Sequence, residues 1–397
     1  MTVPQANGGV VVNGSAQVVK GPAPLDASKT VVTLAENLKA VPPAEELIFG
    51  QTMTDHMVSV TYHPVTGWSN PEIKPYANIS LDPACSIFQY STSVFEGMKA
   101  YVGPDGKPRL FRPEMNMQRM KRSVARIALP AFDVDELLKL IKKLVAVESR
   151  WIPNVKGHSL YVRPTIIGTR PSFGVRASDH AILYVICSPT GPYFRTGPKP
   201  VSLYAVGEQV RSWPGGTGEF KLSLNYAPTF WPQQLAAEKG YDQCLWLLGE
   251  DQHITEAGAM NFFVVVKRDD GDLDVFTPPL DGTILPGLTR ASVLRLTVAH
   301  GETTTLPNLA HSLKLHTSER RITMVDLFSW NDAGKLAEIF LVGTAAVVAG
   351  VGRVGFEGRE LDAGAMGPVA KALYERLTDI QEGKVEFEGW CVHVDDA

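Results

Sequence analysis

The sequence predicts two α+β domains, a smaller one followed by a larger one rich in buried strands. Three observations carry this reading. A chain of 397 residues, 44% hydrophobic and 20% charged, is too long for one ordinary core, since domains run at roughly 150 residues. Residues 188–200 place four prolines and two glycines in 13 positions, the strongest break in the chain. Helical periodicity is clearest before that break, and apolar strand-like runs dominate after it.

Taken in order, residues 1–30 are small, polar and punctuated by Gly and Pro, and are expected to form a disordered tail. A first α/β domain is expected over 31–190, a linker over 191–201 and a second domain over 202–397. Residues 47–101 read as strands and turns, with runs such as Met57-Val58-Ser59-Val60-Thr61-Tyr62. Pro113 suits a first helical position, and Met117, Met120, Val124 and Ile127 then share one helical face. A second helix runs from about Asp133, facing inward with Leu137, Ile141, Leu144 and Val145. Residues 159–167 and 181–187 have the composition of buried strands. Beyond the linker, strands are expected at 201–206, 243–248, 261–267 and 273–276, with Asp270-Gly271 as a hairpin turn between the last two. Helices are expected at 228–239, 288–300 and 367–380, the second stopped by Gly301.

Composition excludes several functions. Net charge is −4, from 38 basic and 42 acidic residues, with no basic cluster to follow a nucleic acid. The longest near-apolar run, 339–352, is broken by Thr344 and falls short of the ~20 residues of a membrane span. Cys85, Cys187, Cys244 and Cys391 are widely spaced, with no CxxC pair, and read as reduced thiols. The first 25 residues hold one Lys and no Arg, which argues for the cytosol over a mitochondrial presequence. Gly350-Val-Gly-Arg-Val-Gly355 matches a dinucleotide pattern, but a turn and short strand follow it where a phosphate would need a helix. His311 and His316 share a polar stretch without further ligands, and no metal is expected.

The chemistry gathers in three places. Trp213-Pro-Gly-Gly-Thr-Gly leads into a strand-like segment where Lys221 stands among apolar neighbours. Desolvation lowers the pKa of a lysine amine and suits it to Schiff-base chemistry; the same lysine taken alone also reads as a surface side chain with its head in water. Glu256 precedes the apolar run Phe262-Phe-Val-Val-Val, where an acid is costly unless a cation or hydrogen bond meets it. Ile284-Leu-Pro-Gly287 opens a helix at Leu288 whose first N–H groups suit a phosphate, with Thr289 adding a hydroxyl. Lysine, acid and phosphate cradle are the parts of a pyridoxal 5'-phosphate site.

The blocks EFKLSLNYAP, TEAGAMNFFV, ILPGLTR and FLVGTAAVV resemble the signature blocks of the branched-chain amino-acid aminotransferases, eukaryotic branch. These are fold-type-IV pyridoxal-phosphate enzymes, with a D-amino-acid aminotransferase-like fold. Residues 49–57, 90–99, 110–120 and 159–164 extend the likeness into the first domain, so that it covers about 45–390. The resemblance implies exchange of an amino group between leucine, isoleucine or valine and 2-oxoglutarate by a ping-pong mechanism, in a homodimer. By the same resemblance, Lys221 is the lysine bonded to the cofactor and the proton carrier, Glu256 the acid at the pyridine nitrogen, and Tyr226 the phenol at the 3′-oxygen. Arg119, Thr344 and the backbone N–H groups of Leu288 and Thr289 match the phosphate cradle. Phe49, Phe95, Tyr161 and Tyr193 match the apolar wall for substrate, and Arg163 the cation for the distal carboxylate of glutamate. Tyr90, Phe173 and Val175 match positions supplied by the neighbouring subunit, and Ala259 and Ala345 the backbone donors for the substrate α-carboxylate.

Two departures stand out. Ala259 replaces a threonine common in animal members, and Ala346 and Ala349 occupy the positions of their CxxC redox switch, so thiol control by that route is expected to be absent. D-amino-acid or amine transaminases and aminodeoxychorismate lyases share the fold, but are usually shorter and lack these first-domain blocks. A non-catalytic paralogue serving as an interaction partner is opposed by intact Lys221, Glu256, Tyr226 and Arg119.

Overall fold

The computed structural model describes residues 21–192 and 199–395. The first sheet has ten strands. Along its main path run Val31–Val32, Glu72–Pro75, His56–His63, Ala181–Thr190, Ser159–Gly168, Met98–Val102, Pro108–Phe111 and Cys391–His393, with Gly67–Trp68 and Ser93–Phe95 alongside. Every pairing but the first is antiparallel. Helices Pro113–Arg126 and Val134–Val147 supply Met117, Met120, Leu137, Ile141 and Leu144 to the core shared with Val58, Leu160 and Leu183. The second helix starts where it does because the Asp133 carboxylate accepts the N–H groups of Asp135 and Glu136.

The second sheet has nine strands, six of which close into a barrel. His253–Ala257, Gln243–Leu248, Val201–Val206, Val347–Phe356, Leu336–Gly343 and Met260–Lys267 follow in order, and the last pairs back onto the first. Successive residues of Met260–Lys267 serve different clusters. Phe262 and Val264 pack with Leu203, Leu245 and Leu341. Phe263 and Val265 pack with Phe340 and with helices Leu288–Ala299 and Pro368–Gln381. Burial on both sides explains the continuous apolar run. The expected hairpin forms, pairing Lys267 with Leu273 across Gly271 at φ +91°.

The structure departs from the sequence expectations in three places. Residues 21–30 do not behave as a tail: Leu25 and Ala27 are buried in the first core, and the Ala27 N–H donates to Glu136. Helix Met324–Asp332 was not foreseen; its first turn is fixed by a capping box between Thr323 and Asp326. The closing strand Cys391–His393 joins the first sheet, although it follows the strands of the second sheet in sequence. The Gly350–Gly355 pattern lies inside the Val347–Phe356 strand. A Cβ at Gly350, Gly352 or Gly355 would meet Met366, Pro200 or Tyr241 within 2.8 Å, so these glycines serve packing. Among the described residues, no helix is long and apolar enough to cross a membrane.

Candidate active site

Lys221 lies where the two sheets meet. Its N–H donates to Ser123 Oγ at 2.9 Å, and its carbonyl accepts the N–H of Phe95 at 3.3 Å. A bridge between Val94 and Leu222 continues this contact with the first sheet. The 3-10 turn Ser223–Asn225 carries the chain round to Tyr226. Lys221 Nζ then sits 3.3 Å from Tyr226 Oη and 4.9 Å from the centre of the Phe95 ring. Asn225 holds the preceding loop closed, donating to the carbonyls of Thr217 and Phe220 at 2.9 and 2.8 Å.

Glu256 is presented by the His253–Ala257 strand opposite Asn261. Its side chain is 2% exposed, and Oε1 accepts from Asn261 Nδ2 at 3.2 Å. Oε2 lies 2.5 Å from Arg211 Nη1 without an aligned hydrogen bond. Burial pushes the carboxyl above its ordinary range, opposed by Arg211, the Leu285 backbone and the charges of Lys221 and Arg119. Asn261 also donates to the Leu285 carbonyl at 2.9 Å, tying Glu256 to the segment that starts the next helix. Gly287 is obligatory at that start, since a Cβ would lie 2.1 Å from Asn261 Oδ1.

Helix Leu288–Ala299 has no side-chain cap, which leaves its first N–H groups without intrahelical partners. Leu288, Thr289, Thr344 and Asn116 line a small cavity at this end. Arg119 reaches the same region from helix Pro113–Arg126. It grips Glu96 with two bonds of 2.6 and 2.8 Å and donates to the Pro286 carbonyl at 3.2 Å. Three of the five guanidinium donors are thus placed, leaving two for a ligand. Burial opposes the Glu96 charge, but the Arg119 guanidinium overcomes it and holds the carboxyl below its usual range. The residues present fit a ligand with a phosphate at one end and a basic ring nitrogen at the other.

The expected substrate residues divide. Phe49 and Tyr161 meet edge to face at 4.8 Å, Phe95 and Tyr226 lie 5.2 Å apart, and Arg163 donates to Tyr161 Oη at 3.1 Å. Arg163 also sits 4.6 Å from the Phe95 ring, so these five side chains and Lys221 form one cluster. Gly97 lets Tyr161 in: a Cβ there would lie 1.9 Å from the phenol oxygen. Ala259 and Ala345 occupy turns between barrel strands. Tyr90, Phe173 and Val175 do not join the cluster; they are exposed, with Tyr90 Oη donating to the Phe173 carbonyl. Tyr193 lies outside the described residues.

Sequence reasoning missed Arg211 and Glu96 as site residues, and Lys99 as the donor, at 2.8 Å, to the Ala345 carbonyl. Charged residues in apolar strands were the only local signal, as at Lys99 between Met98 and Ala100. One buried cluster outside the site has metal-ligand character, Asp55, His56 and Glu148. Protein donors saturate it: His56 Nε2 accepts the Ala35 N–H, its Nδ1 meets Glu148, and Asp55 receives Lys39 N–H, Arg150 and Trp151. His311 and His316 are engaged separately, by Thr305 and Asp272.

Comparison with known proteins agrees with this arrangement. Residues 93–354 match the family described as Amino-transferase class IV. The chain is 44% identical over 380 residues to the cytosolic branched-chain-amino-acid aminotransferase of Saccharomyces cerevisiae, covering 94% of this chain and 99% of that protein. It is 43% identical over 380 residues to the mitochondrial branched-chain-amino-acid aminotransferase of the same yeast, covering 94% of each. In fold it is similar to the branched-chain amino acid aminotransferase of Escherichia coli, with a TM-score of 0.65 and 24% identity over 86% of this chain and 99% of that one. The cluster around Lys221 therefore stands in a chain that belongs to the class IV aminotransferases, among the branched-chain-amino-acid aminotransferases.

Proposed function

We infer that this protein is a pyridoxal-phosphate-dependent branched-chain-amino-acid transaminase, exchanging the amino group of leucine, isoleucine or valine with 2-oxoglutarate. The observation that carries this reading is the convergence of the Lys221 amine, the Tyr226 hydroxyl and buried Glu256 beside an uncapped helix start. When bound, the cofactor supplies an aldehyde that exchanges for an amine and a conjugated ring that takes up the electron pair released at the substrate Cα.

The chain's own groups do the rest. Lys221 is the covalent anchor and the general base and acid that moves the proton at Cα. Glu256 holds the ring nitrogen protonated, with Arg211 keeping the carboxylate charged. Tyr226 donates toward the 3′-oxygen. Two Arg119 donors, the Thr344 and Thr289 hydroxyls and the N–H groups of Leu288 and Thr289 take the phosphate. Phe49, Phe95 and Tyr161 give a branched side chain an apolar wall. Arg163, poised on Tyr161, receives the distal carboxylate of glutamate. Backbone donors at Ala259 and Ala345 hold the α-carboxylate.

Tyr90, Phe173 and Val175 are exposed together and serve the site of a second copy, making the enzyme a homodimer. Two structural units follow the two sheets, with strand Cys391–His393 returned to the first. We place it in the cytosol, as one of the two yeast relatives is cytosolic and the other mitochondrial. The deciding experiment is borohydride reduction of the cofactor-loaded protein followed by peptide mapping. A label on the Lys221 peptide, with Lys221→Ala inactive toward leucine, supports the assignment. A label elsewhere, or a Lys221→Ala variant that turns over leucine normally, overturns it.

A further inference from the structure

A cavity of about 600 Å³ opens between strand Met98–Val102, the first residues of Val347–Phe356 and helix Pro368–Gln381. It borders the site through the backbone of Ala345 but contains none of the Lys221, Tyr226, Glu256, Phe49, Phe95 or Tyr161 side chains. Its size falls within the roughly 300–1,000 Å³ of small-molecule sites. Ala346, Val348 and Met366 give it an apolar wall.

Two buried polar groups at this cavity lack the partners their chemistry asks for. Lys99 is 8% exposed, and its hydrogen bond goes to the neutral Ala345 carbonyl; among the described residues, no carboxylate pairs with it. Thr378, 5% exposed, makes no well-aligned hydrogen bond through Oγ1 and has the Tyr374 hydroxyl as its neighbour. The acids at the cavity edge are engaged elsewhere. Glu375 accepts from Asn308, and Glu382 meets Lys384 and the Gly157 N–H. Exposed Lys199 and Lys371 add positive charge at the rim. A buried ammonium without a counter-ion is costly, and burial draws the Lys99 amine down to about 8, which leaves it mostly protonated at neutral pH.

We propose that this cavity is a second, non-catalytic carboxylate site. It takes an amphiphilic monocarboxylate, whose head supplies the counter-ion missing at Lys99 and whose hydrocarbon chain lies on Ala346, Val348 and Met366. The Thr378 hydroxyl is the second donor to that head. A cation is disfavoured by the three lysines, and a dianion would find too few buried donors. The site also touches the catalytic turn. A carboxylate that draws Lys99 from the Ala345 carbonyl acts one residue from Thr344, in a turn already strained by the β-branched Val347 at φ +62°. That coupling rests on the roles proposed for Thr344 and Ala345; the binding itself does not.

Calorimetric titration of the cofactor-loaded enzyme with octanoate, with octylamine as the charge control, tests the proposal. Two variants are compared: Lys99→Met, which removes the cation, and Ala365→Trp, which obstructs the cavity from its exposed lining. Octanoate should bind the wild type and bind Lys99→Met about tenfold more weakly, the loss expected for a charge-assisted contact. Ala365→Trp should also weaken it while turning over leucine at the wild-type rate. No octanoate binding, equal affinity in all three proteins, or octylamine binding as tightly as octanoate would overturn the assignment.

Discussion

Arg211 and Glu256 meet at 2.5 Å as an ion pair with side chains 5% and 2% exposed. The pair decides whether the acid behind Lys221 stays charged, because burial alone favours its protonated form. Arg211→Met leaves an uncompensated buried carboxylate, which costs about 3 kcal/mol or more, or makes it take a proton. The acidic limb of the kcat pH profile should then move to higher pH and kcat should fall about tenfold. A pH–rate profile that matches the wild type would show that Glu256 is kept charged by other means.

Glu96 and Arg119 predict a different pH response. The Glu96 carboxyl is held below its ordinary value of 4.5 in the folded state. Its stabilisation is therefore complete above that value and disappears as pH falls through the folded one. Glu96→Gln should lower unfolding free energy at pH 7 by about 3 kcal/mol, since it strands Arg119. The gap to the wild type should narrow in urea titrations run below pH 4.5. A constant gap would contradict the assigned direction.

Substrate selection should separate at Arg163. Arg163→Gln is expected to raise KM for glutamate about tenfold through loss of a charge-assisted contact, with a smaller change for leucine. Gly97→Ala drives a methyl group into Tyr161, at 1.9 Å from its oxygen, and should impair both substrates. Steady-state kinetics with each donor distinguish the two; an Arg163→Gln variant that weakens leucine and glutamate equally would remove the selective role.

Thiol chemistry should be silent. Burial raises all four thiols, Cys244 and Cys391 to about 11, and no two cysteines are spaced as a CxxC pair. Leucine turnover should therefore withstand brief peroxide treatment, with thiols labelled fully only after denaturation. Loss of activity reversed by a reductant would contradict this.

Part of this site was legible in the sequence for a simple reason. Lys221 and Glu256 are polar residues in apolar surroundings, and their cost is visible locally. Arg211 is not legible in Gln-Val-Arg-Ser-Trp, because its partner belongs to a distant strand. Lys99 looked ordinary until the Met98–Val102 strand was seen buried. Helix Pro113–Arg126 announced itself by its periodicity, whereas Leu25 and Ala27 stand nearly alone among polar residues and are buried in a distant core, with the Ala27 N–H held by Glu136, 109 positions away. Local patterns reveal what a segment needs; they seldom name the remote residue that supplies it.

The pairing of Cys391–His393 with Pro108–Phe111 has a consequence for biosynthesis. A ribosome delivers the first sheet long before the strand that borders it, so the nascent amino-terminal half emerges with an unpaired edge. That edge is covered only after residues 391–393 have emerged. Arg112 then finds both the Trp390 carbonyl and, 4.3 Å away, its indole ring, and the two halves of the polypeptide are fastened together.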